Sequence, residues 1–340
     1  MNALHTFTSY GRAAGSARVR VFDWLDRLDA PAVSHSYLDG ANNSARALLR
    51  DPRRLLAVES ELRRASVRDA TVLVSRQASP VSRGGVEARL LRRARTGVYD
   101  FDDALFLDRR GLFPKASIWR AAVSAADRVI AGNATLAEEA SRLNRDVLVI
   151  PSCVDPAQYT RKTDFAAQEI PRAVWIGSPA TERYLGDVAP ALLRAHTETG
   201  MRLTVISAGL ASLGPLDAIV DRVAWSPQTF GAALATADIG LMPTPDTPWA
   251  RGKCGYKLLQ YGAAALPMIG DPVGVNAGIL QRADGLAPRT AGEWTDALVG
   301  FFGESAQRHR DRGETGLRAV AEHYSFSAWE PVWRQAVVGA

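Results

Sequence analysis

Cysteine is nearly absent from this 340-residue chain: Cys153 and Cys254 are the only two. Two thiols cannot build the bridged framework of a small secreted domain or a cysteine-rich structural zinc site, and they read as reduced. The five histidines, His5, His35, His196, His309 and His323, have no metal-ligand spacing. None accompanies a serine or cysteine in a nucleophile motif, so hydrolase chemistry finds little support. No apolar run approaches the roughly 18–20 residues that cross a bilayer. The opening residues, MNALHTFTSYGRAAGSARVRV, lack a charged start followed by an apolar stretch. They do not read as a signal peptide, and the expected location is the cytoplasm. Two phosphate-binding signatures are missing as well. After the first apolar run, Gly11 and Gly15 do not have the spacing of G-x-G-x-x-G, and GxxxxGK[ST] occurs nowhere. A dinucleotide oxidoreductase and a P-loop kinase therefore lack their usual grounds.

What is present is ordinary globular material. Hydrophobic residues make up 47% and charged residues 23%, enough for two domains to bury cores of their own. The net charge of +5 is uneven: residues 1–150 carry 24 Lys+Arg against 17 Asp+Glu, and the remainder 17 against 19. The excess lies in arginine clusters such as Arg53–Arg54, Arg63–Arg64 and Arg92–Arg93–Arg95. A basic face of this kind suits an anionic acceptor or peripheral contact with a membrane, or is simply a solvated surface. No aromatic residues interleave with the arginines as a nucleic-acid stacking platform requires, so no nucleic-acid partner is expected. Oligomeric state is left open.

Short apolar runs alternate with helical patterns, which predicts βα units and parallel sheets. In the first half the expected strands are Leu4–Tyr10, Thr71–Ser75, Thr96–Phe101, Arg128–Gly132 and Asp146–Pro151. Helical periodicity covers Val19–Leu28, Leu55–Ala65 and Thr135–Leu143. The polar segment Asp155–Pro171 reads as a domain boundary. A second series follows, with strands Arg172–Ser178, Met201–Ala208, Ile239–Pro243 and Leu266–Gly270, and helices Glu182–Thr199, Phe230–Thr236 and Lys257–Ala265. In such α/β domains ligands bind at the carboxyl ends of the strands.

The stretch WARGKCGYKLLQYGAAALPMIGDPVGVN (Trp249–Asn276) is the most informative. Arg251, Lys253 and Lys257 are cations around a helix start, and helix N-termini with nearby cations suit phosphate. A strand then returns into the glycine turn DPVGVN, whose amides could approach a phosphate closely. A solvent-facing helix start followed by an ordinary βα turn is the alternative. In YDFDD, Asp100, Asp102 and Asp103 crowd three carboxylates into four positions after a strand. They could serve proton transfer from an acceptor hydroxyl, bind a divalent cation, or cap and pair at the surface. Asp102 is the first candidate of the three.

Ala237–Leu280 resembles the donor-binding segment of family 4 glycosyltransferases. Ala173–Leu185 resembles that family's first strand and loop of the carboxyl-terminal domain, and Ala126–Asp155 the segment closing the amino-terminal one. Gly97–Phe106 looks like an acceptor-side loop. The resemblance implies an α/β, GT-B fold: two Rossmann-like domains with parallel sheets facing an interdomain cleft. It also implies retaining transfer of a sugar from a nucleoside-diphosphate donor to an acceptor hydroxyl on a small molecule, glycan or lipid-linked substrate, without a metal or other cofactor. Residues 1–160 would form the acceptor-side domain, 168–325 the donor domain, and 326–340 a helix packing back on the first.

Carried over by position, Arg251, Lys253, Lys257, Gly274 and Val275 would hold the diphosphate, joined by Gly15 and Ser16 from the first glycine loop, where Arg18 and Arg20 could add charge. Gln260, Gly177 and Ser178 would contact nucleotide and ribose. Arg76, Ser79 and Asn133 would line the acceptor side, although capping its own helix explains Asn133 equally well. The family places two glutamates eight positions apart where this chain has Gly252 and Gln260. That departure keeps open a catalytically altered relative: a pseudo-glycosyltransferase, an epimerase or a nucleotide-binding non-enzyme.

Overall fold

A computed structural model describes residues 3–28, 31–37, 51–226 and 229–339. The chain forms two compact units. The first comprises Met1–Cys153, the tripeptide Gly252–Cys254 and Trp329–Ala340; the second comprises Val154–Arg251 and Gly255–Ala328.

The first unit is built on a six-stranded sheet in the order β2-β1-β3-β4-β5-β6. Its strands are β1 (Leu4–Thr8), β2 (Ala32–Ser36), β3 (Thr71–Ser75), β4 (Thr96–Phe101), β5 (Arg128–Ala131) and β6 (Val147–Val149). Every neighbouring pair is parallel. The central strands carry β-branched and aromatic residues buried on both faces, as in TVLVS of β3, where every residue is buried. That burial is what a parallel sheet covered on both sides demands. β2 is different: the edge strand AVSHS has no buried residue, so it lacks an apolar pattern and escapes sequence reading. Thr6, Phe7 and Thr8 of β1 register with Ser34, His35 and Ser36, and Phe7 and His35 stack at 4.4 Å. After β1 the chain coils through Gly15–Ala17, a π-helical Arg18–Phe22 and Asp23–Leu28. Trp24 of this run stacks on Trp333 at 5.2 Å, and both rings are fully buried.

The second unit holds a five-stranded sheet in the order β11-β10-β7-β8-β9, again parallel throughout. The strands are β7 (Arg172–Ile176), β8 (Arg202–Ser207), β9 (Val220–Ala224), β10 (Ile239–Met242) and β11 (Met268–Gly270). β9, VDRVA, is a second edge strand without a buried residue and without a sequence signal. Two apolar clusters fill the unit. One gathers Val174, Leu258, Leu259, Leu266 and Val320; the other gathers Trp175, Leu192, Leu241, Trp294 and Phe301. In both sheets the chain runs outward from one strand and then restarts beside it, at β1/β3 and at β7/β10. Such reversals leave a crevice beyond the strand ends, the usual ligand position in open α/β sheets.

Candidate active site

In the second unit the reversal point has an atomic cause. β7 and β10 share only two paired positions, Ala173 with Ile239 and Val174 with Gly240. Beyond them the strands part, and the Tyr261 hydroxyl fills the gap, accepting from the Ile176 amide at 3.3 Å and donating to the Leu241 carbonyl at 2.9 Å. The ring itself lies over Gly240, where a Cβ would sit 2.4 Å from it. Tyr261 belongs to the helix Tyr256–Ala263, which also carries Lys257 and Gln260. Gly177 follows β7 directly, and a Cβ there would come within 2.4 Å of the Trp175 ring and 2.8 Å of the Lys257 side chain. Bare backbone at Gly177 thus makes room for Lys257, whose ammonium lies 5.2 Å from the Trp175 ring centroid. Gln260 is buried on the same helix. Ser178 accepts no helix amide through its side chain; its hydroxyl faces the Thr181 hydroxyl at 3.3 Å.

Two more loops close this end of the sheet. Gly274 has the left-handed φ of +57° and rests on the backbone of Arg251, where a Cβ would meet the carbonyl oxygen at 2.7 Å. Glycine is required there both by conformation and by space. Val275 precedes the helix Asn276–Arg282, and buried Asn276 ties the turn down by donating to Thr244 and to the Asp271 carbonyl. The Arg251 guanidinium points elsewhere: it is exposed and forms a two-pronged pair with Asp246 at 2.7 and 3.0 Å. Beside these loops lies a cavity of about 380 Å³ lined by Asp187, Thr244, Asp246, Asp271, Arg289 and Thr290. Burial pushes the Asp271 carboxyl up, against the hydrogen bonds it accepts from Trp294 and the Thr244 amide.

In the first unit the carboxylates at the end of β4 and in the loop after it are neutralised residue by residue. Asp100 is buried and meets Arg20, whose Nε lies 3.2 Å from both carboxylate oxygens; Arg20 also donates to the Ile150 carbonyl at 2.8 Å. Burial disfavours the Arg20 cation, but Asp100 outweighs it and holds the guanidinium charged. Asp102 accepts from the Ser16 hydroxyl at 2.9–3.0 Å and faces Arg76 at 3.5 Å. Asp103 pairs with Arg76 at 2.8 Å and with Lys253 at 3.5 Å. Arg76 itself has φ +62°, a conformation costing about 1–3 kcal/mol for a side chain with a Cβ. Hydrogen bonds hold it there, from its amide to the Asp100 carbonyl and from the Tyr99 hydroxyl to its own carbonyl.

The tripeptide Gly252–Cys254 is fastened to this loop. Asn133 caps the helix Ala134–Ser141 by accepting from the Leu136 amide, and its side-chain NH2 donates to the Gly252 and Lys253 carbonyls at 2.9 and 3.1 Å. The capping role expected of Asn133 is present, and its side-chain NH2 is engaged by protein carbonyls. Cys254 packs its thiol between the Asp102 and Gly132 carbonyls, each at 3.4 Å. Burial pushes this thiol up to about 12, as it does that of Cys153. Gly252 packs so tightly that a Cβ would lie 2.8 Å from that of Ala104.

Comparison of the sequence with models of known protein families finds no match, and comparison with curated proteins finds none either. Solved structures do match. HepE of Anabaena, solved with UDP and glucose, superposes with a TM-score of 0.70 at 12% identity over 98% of both chains. WaaG, a glycosyltransferase involved in lipopolysaccharide biosynthesis, gives 0.63 at 12% identity over the whole of both. TarM gives 0.63 at 9% identity over 83% of this chain, which spans only 57% of TarM.

The fold is GT-B.

Within each unit of this GT-B chain, residues singled out from sequence come together. Gly177, Lys257 and Gln260 gather at the β7/β10 opening, with Gly274 and the Arg251 backbone on the neighbouring loops. Ser16, Arg76, Asp102, Asp103 and Lys253 gather beyond β3 and β4 in the other unit. Gly15 is exposed with open space around its Cα. Arg20 lies in the core instead of adding free charge to the loop. Ser79 is fully buried: its hydroxyl donates to Glu59, and its amide to Glu87 at 3.1 Å. Sequence reading passed over Glu87, Cys254 and Tyr261, which organise these groups. Glu87 in the otherwise apolar helix face of VEARLL was the available signal. Among the described residues, no three His, Cys, Asp or Glu side chains are arranged to hold a metal ion, and no helix is long and apolar enough to cross a membrane.

Proposed function

We propose that the protein is a glycosyltransferase that uses a nucleoside-diphosphate sugar. The observation that carries this is the β7/β10 opening. The strands separate, Tyr261 satisfies the freed backbone groups, and Lys257 stands over the bare backbone of Gly177. Cationic side chains beside strand ends at a chain reversal are suited to a nucleotide diphosphate. GT-B proteins of similar length, such as HepE, have been solved with UDP and with UDP-glucose. In this reading Lys257 neutralises charge growing on the leaving diphosphate, Gln260 receives a ribose hydroxyl, and the amides of Gly274 and Val275 contribute nearby. Arg251 adds charge only after exchanging Asp246 for the ligand. Configuration would be retained and no metal used, with a hydroxyl acceptor engaged by the first unit near Asp102. Asp100, locked to Arg20, positions β4 rather than touching substrate.

A second reading, a catalytically altered GT-B protein, is favoured by one observation. The position where a donor-contacting glutamate belongs is Gly252, and its surroundings leave no room even for a methyl group beside Ala104. The carboxylate is not merely absent; the packing excludes it.

Thermal-shift titration with UDP, GDP, TDP and ADP, followed by donor turnover with the tightest binder, tests both. Stabilisation by one diphosphate with donor consumption supports the transferase, and stabilisation without turnover supports the altered relative. No response to any of the four sinks both.

A further inference from the structure

The segment following the acidic loop carries an unusual combination. Leu107, Leu112 and Phe113 are all exposed, Leu112 at 73%, although large apolar residues are normally withdrawn from water. Arg109 and Arg110 are exposed between them, and Arg120 is exposed on the helix Lys115–Ala125 that follows. Among the described residues no carboxylate pairs with Arg109, Arg110 or Arg120, whereas Lys115 is matched by Asp108 at 3.4 Å. Arg109 and Arg120 line a cavity of about 510 Å³ together with Ser117, Ser124 and Pro114, and no acidic residue lines it.

The exposure is built in. The Ala116 amide donates to the Asp108 carbonyl at 2.9 Å, and Arg83 donates to the Leu112 carbonyl at 3.0 Å. The loop is thus fastened at its base through Asp108 and beside its tip through the Leu112 backbone, and it turns at Gly111, φ +79°, with open space around it. A fixed loop that offers a leucine and a phenylalanine to solvent, ringed by unpaired arginines, has the composition of a membrane-interface anchor.

We propose that this loop docks the protein on a bilayer containing anionic lipids: Leu112 and Phe113 enter the headgroup–acyl boundary, and the Arg109–Arg120 cavity receives a lipid phosphate. Charge complementarity selects this occupant. An uncharged partner would satisfy the apolar tip but leave three arginines unpaired around it. The proposal does not depend on the reaction proposed above, because its readout is partitioning and not turnover.

The test is flotation of the full-length chain with phosphatidylglycerol vesicles and with phosphatidylcholine vesicles. The wild type should float with the first and not the second, and rising salt should weaken it. R109Q/R120Q should bind about 25-fold more weakly, at roughly fivefold for each basic residue near an anionic surface. L112S/F113S should lose at least about tenfold, since lipid partitioning scales with buried apolar area. Leu210→Ser, which removes a lone exposed leucine of the second unit, should change nothing. Equal flotation with both vesicle types, or unimpaired flotation of L112S/F113S, overturns the proposal. So does a wild-type dimer that L112S/F113S converts to monomer without altering flotation, because a second copy is then the occupant.

Discussion

Replacing Arg20 with methionine isolates the ion pair beneath the acidic loop. Arg20 and Asp100 side chains are each only 2% exposed. Removing the guanidinium leaves a buried carboxylate with only the Ser75 hydroxyl, at 3.2 Å, among its former side-chain partners, and deprives the Ile150 carbonyl of a donor. Breaking one side of a buried pair costs about 3–5 kcal/mol, because the stranded charge retains its desolvation penalty. At roughly 2–4 °C per kcal/mol for a unit of this size, the melting temperature should fall by about 6–20 °C. The loss should depend on pH with a definite sign. In Arg20→Met, burial raises the Asp100 carboxyl in the folded state above its unfolded value near ~3.9. The variant therefore loses little below that value and progressively more as pH rises through the folded one. Thermal melts between acid and neutral pH, in a cycle with Asp100→Leu, measure this. The double variant should cost far less than the two singles combined. A melting loss under about 3 °C, or an additive cycle, refutes the reasoning.

Lys257→Ala should weaken binding of the preferred nucleoside diphosphate by roughly 10–100-fold by calorimetry, the worth of a charge-assisted contact, while leaving the melting temperature nearly unchanged. Gly252→Ala should cost about 1–3 kcal/mol in urea unfolding, because its methyl group meets Ala104 at 2.8 Å; a cost below ~0.5 kcal/mol contradicts the packing argument. Cys153 and Cys254, with thiols pushed up to about 12, should resist a thiol reagent at pH 8 in the native protein and both react in urea. Burial and neighbouring His5 depress His35. Stability should therefore decline as pH falls through about 6.5, where the unfolded histidine takes up its proton more readily, and His35→Gln should flatten that decline.

Periodicity and composition were sufficient to read two series of βα units, because central parallel strands must be apolar on both faces and announce themselves. β3 and β7 are of this kind. β2 and β9 stayed hidden because an edge strand buries little, and AVSHS or VDRVA can pair through the backbone with almost any side chains. The glycines Gly177, Gly252 and Gly274 were visible as letters, but their reasons were not. Only the tertiary structure shows that Trp175 and Lys257, Ala104, and the Arg251 backbone occupy the space a Cβ would need. The same holds for charge. Sequence offered Asp100, Asp102 and Asp103 as one cluster with Asp102 foremost, whereas folding gives each a different set of partners: a buried arginine, a serine hydroxyl with Arg76, and Arg76 with Lys253. Local sequence determines where strands and helices can form, since backbone geometry and burial pattern act over a few residues. Which cation meets which carboxylate of this cluster spans 26 to 150 positions along the chain, and that was decided only when the strands took their order.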